Sequence, residues 1–205
     1  MSGGKAPLRL ICATSNPGKA REFALAAGEP IAIEALPNFR VISPCVEDGA
    51  TFAENAIIKA HYYGAHAPRM LLFADDSGLE VDALGGAPGV FSARFSGPGA
   101  TDESNNRLLL EKLRGVAERS ARFVCAIALV ENGKLIDVYH GSVDGVILES
   151  ARGAGGFGYD PLFYYPPFDC TFGEVEGERK FAVSHRGQAL RAMVRALTRR
   201  SPNLS

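Results

Sequence analysis

The sequence predicts a mixed α/β or α+β domain built around one mixed β-sheet. Short apolar runs typical of strands alternate with helical patterns, and a hairpin motif lies near the middle of the chain. The chain has 205 residues, 46% of them hydrophobic, which is enough to bury a core without disulfide or metal support. No internal repeat or linker divides it, so we expect one domain over residues 1–205.

The charge balance and the cysteines argue against several classes of protein. The 22 Lys and Arg residues are balanced by 23 Asp and Glu residues, for a net charge of −1, so bulk charge does not favour a nucleic-acid or anionic-membrane binder. The four cysteines are too dispersed for a zinc ribbon or a redox dithiol, and Cys12 and Cys125 lie in apolar runs that predict burial. No apolar run approaches the about 20 residues of a membrane helix. We expect a cytoplasmic protein without membrane or nucleic-acid partners.

The first predicted element is a strand followed by a tight loop and a helix. Residues 8–13 form an apolar run, Thr14-Ser-Asn-Pro-Gly-Lys19 forms the loop, and a helical pattern continues to Gly28. Such a loop is expected to leave the first helix amides unpaired as an anion site. Asn16 and Lys19 are candidate donors to a phosphate.

This loop is not a Walker A motif. Ala13 stands where that motif requires its first glycine, and Ala20 replaces the Ser or Thr after the lysine. An ordinary Asn-Pro-Gly turn with a solvated Lys19 is therefore the alternative.

A capping box predicts the next helix. Thr51 is expected to accept from the amide three residues on while Glu54 reaches back, and the helix should end near Gly64. Residues four apart share one stripe of a helix, so one face is expected to pack while a polar one faces a cleft. The polar stripe contains Thr51, Asn55 and Lys59, and the apolar stripe contains Phe52, Ala56 and Ala60.

Two adjacent carboxylates follow a predicted buried strand over residues 70–74. The strand is expected to end at Asp75-Asp76-Ser77-Gly78, and at most one of the two carboxylates should face a given site. Carboxylate oxygens suit Mg²⁺, and Glu47-Asp48 offers a second acidic ligand. The alternative is a plain turn in which Asp caps its own backbone.

The second half of the chain predicts helices around a hairpin. Thr101 caps a helix that ends near Gly115, and Asn132-Gly133 joins strands over residues 121–130 and 134–140. A further strand is expected over residues 142–149. The last helix starts at Ser184, with an apolar set of Leu190, Met193, Val194 and Leu197.

Two later motifs are candidates for ligand recognition. Aromatic residues in Phe157-Gly-Tyr-Asp-Pro161 suit stacking on a planar base, and Asp160 can accept from ring nitrogens; a corner packed into the core is the alternative. Ser184 is a predicted N-cap. His185 and Arg186 are expected to project from that helix start toward an anion or carbonyl rather than to be buried, with Lys180 nearby.

Together these motifs resemble the inosine triphosphate pyrophosphatase, or Ham1-like, family of noncanonical purine nucleoside triphosphatases. The resemblance extends from about Leu8 to Leu197. Its five blocks occur in the family's order. They are Ala13-Thr-Ser-Asn-Pro-Gly-Lys19, Thr51-Phe-Ala-Glu-Asn-Ala56 with Lys59, Ala74-Asp-Asp-Ser-Gly-Leu79 continuing to Ser92-Ala-Arg94, Gly156-Phe-Gly-Tyr-Asp-Pro161, and Ser184-His-Arg186.

The resemblance implies a homodimer whose subunits have an elongated, bent mixed sheet flanked by helices, in two lobes with a central cleft. It implies Mg²⁺-dependent hydrolysis of ITP, dITP and XTP between the α and β phosphates. The implied triphosphate-binding residues are Thr14, Ser15, Asn16, Pro17, Gly18 and Lys19. Asp76 would bind the metal and act as general base, and Ser77 would contact substrate. The implied base pocket contains Phe157, Gly158, Tyr159, Asp160, Lys180, His185 and Arg186.

One departure from the family pattern concerns the second metal ligand. Family members often carry two consecutive glutamates where this chain has Val46 and Glu47. Val46 cannot bind a metal, so either Glu47 takes that role or Asp76 and the phosphates hold Mg²⁺ with water.

The sequence leaves two rival functions. A general triphosphatase that cleaves the γ-phosphate would release orthophosphate instead of pyrophosphate, and a regulatory nucleotide-binding module would bind ITP without turnover. For the pyrophosphatase, donors from His185 and Arg186 would favour a 6-oxo purine over adenine, whose amino group is itself a donor.

Overall fold

The computed structural model describes residues 7–25 and 31–200. The strands are β1 (Leu8–Cys12), β2 (Ile31–Ala35), β3 (Leu71–Val81), β4 (Ser120–Glu131), β5 (Lys134–Ile147), β6 (Phe163–Tyr165) and β7 (Cys170–Thr171). The helices are α1 (Pro17–Ala24), α2 (Phe52–Gly64), α3 (Asp102–Lys112), α4 (Gly177–Val183) and α5 (His185–Arg200).

The strands form one mixed sheet in the order β2-β1-β3-β4-β5-β6-β7. β1 is parallel to both β2 and β3, and the remaining neighbours in the described sheet are antiparallel. Helices α1 and α5 pack on one face and α2 on the other. The expected α/β fold with a mixed sheet between helices is confirmed.

The core is divided along the three long strands β3, β4 and β5. Adjacent residues of β3 serve opposite faces: Leu72 packs with α2, whereas Phe73 packs with α1 and α5. A third cluster at the far end of these strands contains Leu79 and Phe123 together with Leu109 of α3. We call the part with α1, α2 and α5 the first half and the part with α3, β6 and β7 the second half.

The edge of β3 is open where the two halves meet. β1 ends at Cys12, opposite Phe73. Further along this edge of β3, the next described hydrogen bond is the one that the Leu79 amide donates to Ser92 Oγ at 2.9 Å. Backbone groups of alternate residues face the same edge of a strand, so the Asp75 and Ser77 amides point into this gap. The short β1 therefore exposes the middle of β3 to a cleft.

The predicted hairpin is confirmed, with Asn132 and Gly133 at φ 51° and 74°, the left-handed values that a tight two-residue turn requires. The separate strand predicted over residues 142–149 is wrong. β5 runs without interruption from Lys134 to Ile147 because the 12-residue β4 pairs along almost all of it.

Side-chain caps start the helices largely as predicted. Thr51 Oγ1 accepts from the Glu54 amide at 3.1 Å, but Glu54 Oε2 accepts from the Ala50 amide at 2.7 Å instead of the Thr51 amide. Ser184 Oγ accepts from the Gly187 amide at 3.2 Å, as an N-cap of α5. The predicted end of α1 at Gly28 lies outside the described residues, within which α1 ends at Ala24.

Cys12 and Cys125 are buried, as predicted. Burial raises the pKa of both thiols, which keeps them protonated and unreactive. All four cysteines are free. Within residues 7–25 and 31–200, no helix has both the length and the apolarity needed to cross a bilayer.

Candidate active site

A cavity of about 280 Å³ lies between the two halves, beside the open edge of β3. Both halves supply side chains to its wall. The residues from the first half are Thr14, Ser15, Asn16, Lys19, Glu47, Lys59, Asp75, Asp76 and Arg186, and those from the second half include Ser92, Arg94, Asp102, Asn105, Phe157, Gly158, Tyr159 and Asp160. Most of the residues singled out in the sequence therefore meet at one place.

The loop before α1 pairs more of its own hydrogen-bonding groups than expected. Asn16 Oδ1 accepts from the Gly18 and Lys19 amides at 2.8 and 3.1 Å, and Thr14 Oγ1 accepts from the Asn16 amide at 3.2 Å. The prediction of unpaired first-turn amides is wrong for these groups, because Asn16 caps the helix itself. Lys19 is not solvated either: its ammonium lies 2.8 Å from Asp75 Oδ2.

Asp75 and Asp76 lie within β3, so the prediction that the strand ends before them, and the alternative of a turn, are both wrong. Their carboxylates point to opposite faces, as predicted: Asp75 pairs with Lys19 of α1, and Asp76 pairs with Lys59 of α2. Both nevertheless line the cavity, so the prediction that at most one of them faces a given site is wrong. We attribute this to the open strand edge, around which both faces are accessible.

The Asp76 carboxylate is held by the polar stripe of α2. Lys59 Nζ donates to Asp76 Oδ1 at 2.9 Å and to Glu47 Oε2 at 2.8 Å, while Asn55 Nδ2 lies 3.3 Å from Asp76 Oδ2. Burial raises the pKa of the Asp76 carboxyl against the opposing effect of Lys59. Of the stripe expected to face a cleft, Lys59 lines the cavity, and Asn55 contacts Asp76 from behind it.

The carboxylates of Glu47 and Asp76 are suitable ligands for Mg²⁺. A single ammonium group already bridges Glu47 and Asp76, so one cation can reach both. Mg²⁺ commonly takes one or two carboxylates together with substrate phosphates. Within the described part of the chain, no cluster of three or more acidic, His or Cys residues is arranged for a metal, so the remaining ligands would come from substrate and water.

Sequence reasoning missed Glu22, which is buried on α1. Its carboxylate accepts from Lys180 at 2.6 Å and from Arg186 at 2.8 Å, and Lys180 also pairs with Asp160. Burial opposes ionisation of Glu22, but the two cations outweigh it and hold its pKa below the usual value. Asp160 has one cation, and burial raises its pKa despite Lys180. The position of Glu22 in a short helix did not indicate that its carboxylate pairs with two cations.

Phe157 lines both the cavity between the two halves and a second cavity of about 300 Å³. Its ring lies 4.9 Å from the Arg186 guanidinium and 5.1 Å from the Lys180 ammonium, and it packs so closely on Gly18 that a Cβ there would lie 2.6 Å from Phe157 Cδ1. Tyr159 is 4% exposed and packs in the core of the second half. This agrees with the alternative prediction for this motif, a corner packed into the core.

His185 and Arg186 are buried, at 1% and 6% exposure, so the expectation that they project from the helix start without burial is wrong. Helix α5 packs on β5 at Gly141, where a Cβ would collide with the His185 carbonyl, and this close approach encloses the first turn. Arg186 reaches the cavity and donates to Ser77 Oγ at 2.9 Å. Its buried Nε has no hydrogen-bond partner among the described residues.

The His185 ring stacks on Phe123, with centroids 4.8 Å apart. Neither ring nitrogen has a hydrogen-bond partner among the described residues. Burial, followed by the nearby Arg186 and Lys180, holds the pKa of His185 well below its ordinary value. The imidazole is therefore neutral in the folded protein.

This burial predicts a pH dependence of stability. The unfolded chain binds a proton at His185 near its ordinary pKa of about 6.5 and the folded chain does not, so stability falls as pH decreases below about 6.5. The expected slope from this group is at most about 1.4 kcal/mol per pH unit. Urea unfolding between pH 7.5 and 5.5 measures it.

His185→Gln, which cannot titrate, is expected to remove this part of the slope. The exposed His140 provides the matched control, since His140→Gln should retain the wild-type slope. An equal slope in wild type and His185→Gln would contradict the prediction.

The remaining predicted residues lie around the cavity but not all on it. Gly18 and Lys180 line the second cavity, which Phe157 also lines, and the His185 ring stacks on Phe123. Pro17 forms the first turn of α1 and lines neither cavity. The residues around the two cavities that the sequence analysis did not assign to the site include Glu22, Ser92, Arg94, Asp102, Asn105 and Phe123.

Comparisons with known proteins show the family to which the chain belongs. A sequence model of the Ham1 family matches residues 10–196. The dITP/XTP pyrophosphatase of Exiguobacterium sp. is 49% identical over 188 residues, which cover 91% of this chain and 95% of the relative. The dITP/XTP pyrophosphatase of Thermus thermophilus is 49% identical over 193 residues, covering 92% and 91%. A solved HAM1 protein from Coxiella burnetii superposes with a TM-score of 0.82 at 40% identity, covering 94% of this chain and 99% of that one.

Proposed function

Since this chain belongs to the Ham1 family, we propose that it hydrolyses noncanonical purine nucleoside triphosphates, namely dITP, ITP and XTP, to the monophosphate and pyrophosphate. The observation that carries the proposal is the pairing of cations and carboxylates around one cavity. Lys19, Lys59 and Arg186 offer positive charge to a triphosphate, and Asp76 with Glu47 offers ligands to a divalent cation. Hydrolysis of this kind removes inosine and xanthosine nucleotides before they enter DNA or RNA.

In the proposed mechanism Asp76 accepts a proton from the water that attacks the α-phosphorus, and pyrophosphate leaves. The Asp76 carboxylate is a candidate base because it lines the cavity, where substrate and water can reach it. Lys19 and Lys59 would exchange their carboxylate partners for phosphate oxygens and stabilise the leaving group. Asp76 and Glu47 would hold Mg²⁺, which supplies charge screening and polarisation of the phosphate oxygens when bound.

Base selection is proposed to rest first on Arg186. Its free Nε and the Nη2 that contacts Ser77 are buried donors, and a 6-oxo group offers an acceptor where adenine offers a donor. A donor facing a donor in a buried site costs about 1–3 kcal/mol or more. The His185 ring stacks on Phe123 in this arrangement, so it supports the pocket from the α5 side.

The test is incubation with Mg²⁺ and ITP, dITP, XTP, ATP or GTP, with pyrophosphate measured separately from orthophosphate. We expect pyrophosphate from the first three nucleotides and at least about tenfold slower turnover of ATP, the factor that a mispairing of about 1.4 kcal/mol gives. Orthophosphate as the sole product would identify a γ-cleaving triphosphatase. Tight ITP binding without any product would indicate a regulatory nucleotide-binding module.

We also propose that the chain acts as one domain, forms a homodimer and works in the cytoplasm without nucleic-acid partners. The net charge of −1 supports the absence of nucleic-acid partners, and the four free cysteines support a reducing compartment. Light scattering during size-exclusion chromatography tests the dimer: a mass near 21.8 kDa, that of one chain, would show a monomer.

A further inference from the structure

The first turns of α3 hold the backbone of a single residue in the neighbouring loop. Asp102 Oδ2 accepts from the Gly158 amide at 2.6 Å, and Asn106 Nδ2 donates to the Gly158 carbonyl at 3.0 Å. Gly158 has a left-handed φ of 61°. Two side chains one helical turn apart therefore fix both polar groups of this residue, and we call the pair the α3 clamp.

Helix α3 is itself firmly placed. Thr101 and Ser104 form a reciprocal capping box at its start, with contacts of 2.9 and 3.2 Å. Asn105 accepts from the Ser96 amide at 2.8 Å and lies within 3.4 Å of the Ser92 carbonyl. The clamp thus connects Gly158 to a rigid element of the second half.

Gly158 directly follows Phe157, and the clamp limits how that ring is presented. The Phe157 amide donates to Asp160 Oδ2 at 2.9 Å, which fixes the turn from the other side. Rotation of the backbone at Gly158 would break the α3 contacts and turn the ring that lines both cavities. Asp102 and Gly158 both lie on the wall of the cavity between the two halves.

We propose that Asp102 and Asn106 are positioning residues for nucleobase selection, acting through Gly158 on the orientation of the Phe157 ring. The inference rests on the proposed function, in which this ring stacks on the base. A correctly placed aromatic face restricts which base geometry fits beside the donors of Arg186. Nucleobase discrimination thereby depends on α3, although Asp102 and Asn106 need not contact the base.

The experiment compares kcat and KM for ITP and ATP in wild type and in Asp102→Ala/Asn106→Ala. We expect KM for ITP to rise about tenfold, the effect of losing about 1.4 kcal/mol of binding, while kcat changes less than threefold and the preference for ITP over ATP decreases. Asp102→Asn retains an acceptor oxygen and should preserve wild-type behaviour. Glu103→Ala/Arg107→Ala, on exposed positions of the same helix, is the matched control and should also be unchanged.

A second arm separates positioning from a merely structural role. If the clamp acts through Phe157, adding Asp102→Ala/Asn106→Ala to Phe157→Ala should have no further effect on KM. Equal losses in both backgrounds, or a folded double variant with wild-type KM and preference, would overturn the inference. Absence of pyrophosphate release by wild type would instead overturn the proposed function, and the same variants would then be compared by calorimetric titration with ITP.

Discussion

Asp76→Asn is expected to reduce pyrophosphate release from ITP by about 10³-fold or more, within the range associated with loss of a general base. The amide is isosteric with the carboxylate, but it cannot take a proton and it removes one of two negative charges around Lys59. We also expect weaker Mg²⁺ binding, which isothermal titration in the presence of pyrophosphate measures. Pyrophosphate release at saturating ITP measures the rate.

The structure supplies a matched control for this variant. Asp144 is exposed on β5, so Asp144→Asn makes the same chemical change away from the cavity and should leave the rate unchanged. Circular dichroism and urea unfolding verify that Asp76→Asn is folded. A near-normal rate in the folded variant would remove Asp76 from the proposed mechanism.

Lys180→Met is expected to reduce the free energy of unfolding by about 3–5 kcal/mol, as breaking a buried ion pair does. The ammonium is 3% exposed between Glu22 and Asp160. Without it, Asp160 keeps only the Phe157 amide among the contacts described, and Glu22 keeps only Arg186. Urea unfolding at pH 7.5 measures the loss, and Lys134→Met, on the exposed hairpin, is the control.

The pH dependence of this loss has a definite sign. In wild type the pKa of Glu22 is lowered, so its stabilising effect is present above the unfolded pKa and decreases as pH falls through the folded one. In Lys180→Met, Glu22 and Asp160 lose a cation that favours their ionised forms. Protonation of these carboxyls at low pH then removes buried negative charge. The difference from wild type should therefore be smaller at pH 5 than at pH 7.5, and a larger difference at pH 5 would contradict this account.

Local patterns predicted the parts of the fold that local chemistry determines. Thr51, Thr101 and Ser184 cap their helices, and Asn132-Gly133 forms the hairpin turn, because each depends on neighbours within a few residues. β6 and β7 have three and two residues, too few for a periodic pattern. β2 and α4 were likewise not predicted, since each is short and is stabilised by tertiary contacts.

Tertiary context decided where the prediction of the site was wrong. Asp75-Asp76 resembles a strand end, but the antiparallel partner β4 extends β3 through both residues to Val81. His185 and Arg186 occupy a helix start, a position usually near solvent, yet close packing of α5 on Gly141 buries them. Glu22 required the fold itself, because its two cations lie more than 150 residues away along the chain.

The edge of β3 also affects the risk of aggregation during folding. An apolar strand with an unpaired edge is a template for strand addition by another molecule. In the folded protein β1 covers the apolar residues 71–73 of β3, so this risk exists before β1 pairs with them. The two aspartates that follow this apolar run act as gatekeepers, because charge at the end of such a run opposes cross-β association. Asp76, the carboxylate proposed for metal binding and proton transfer, would thus also guard against aggregation before the cleft has formed, so chemistry and solubility would constrain the same position.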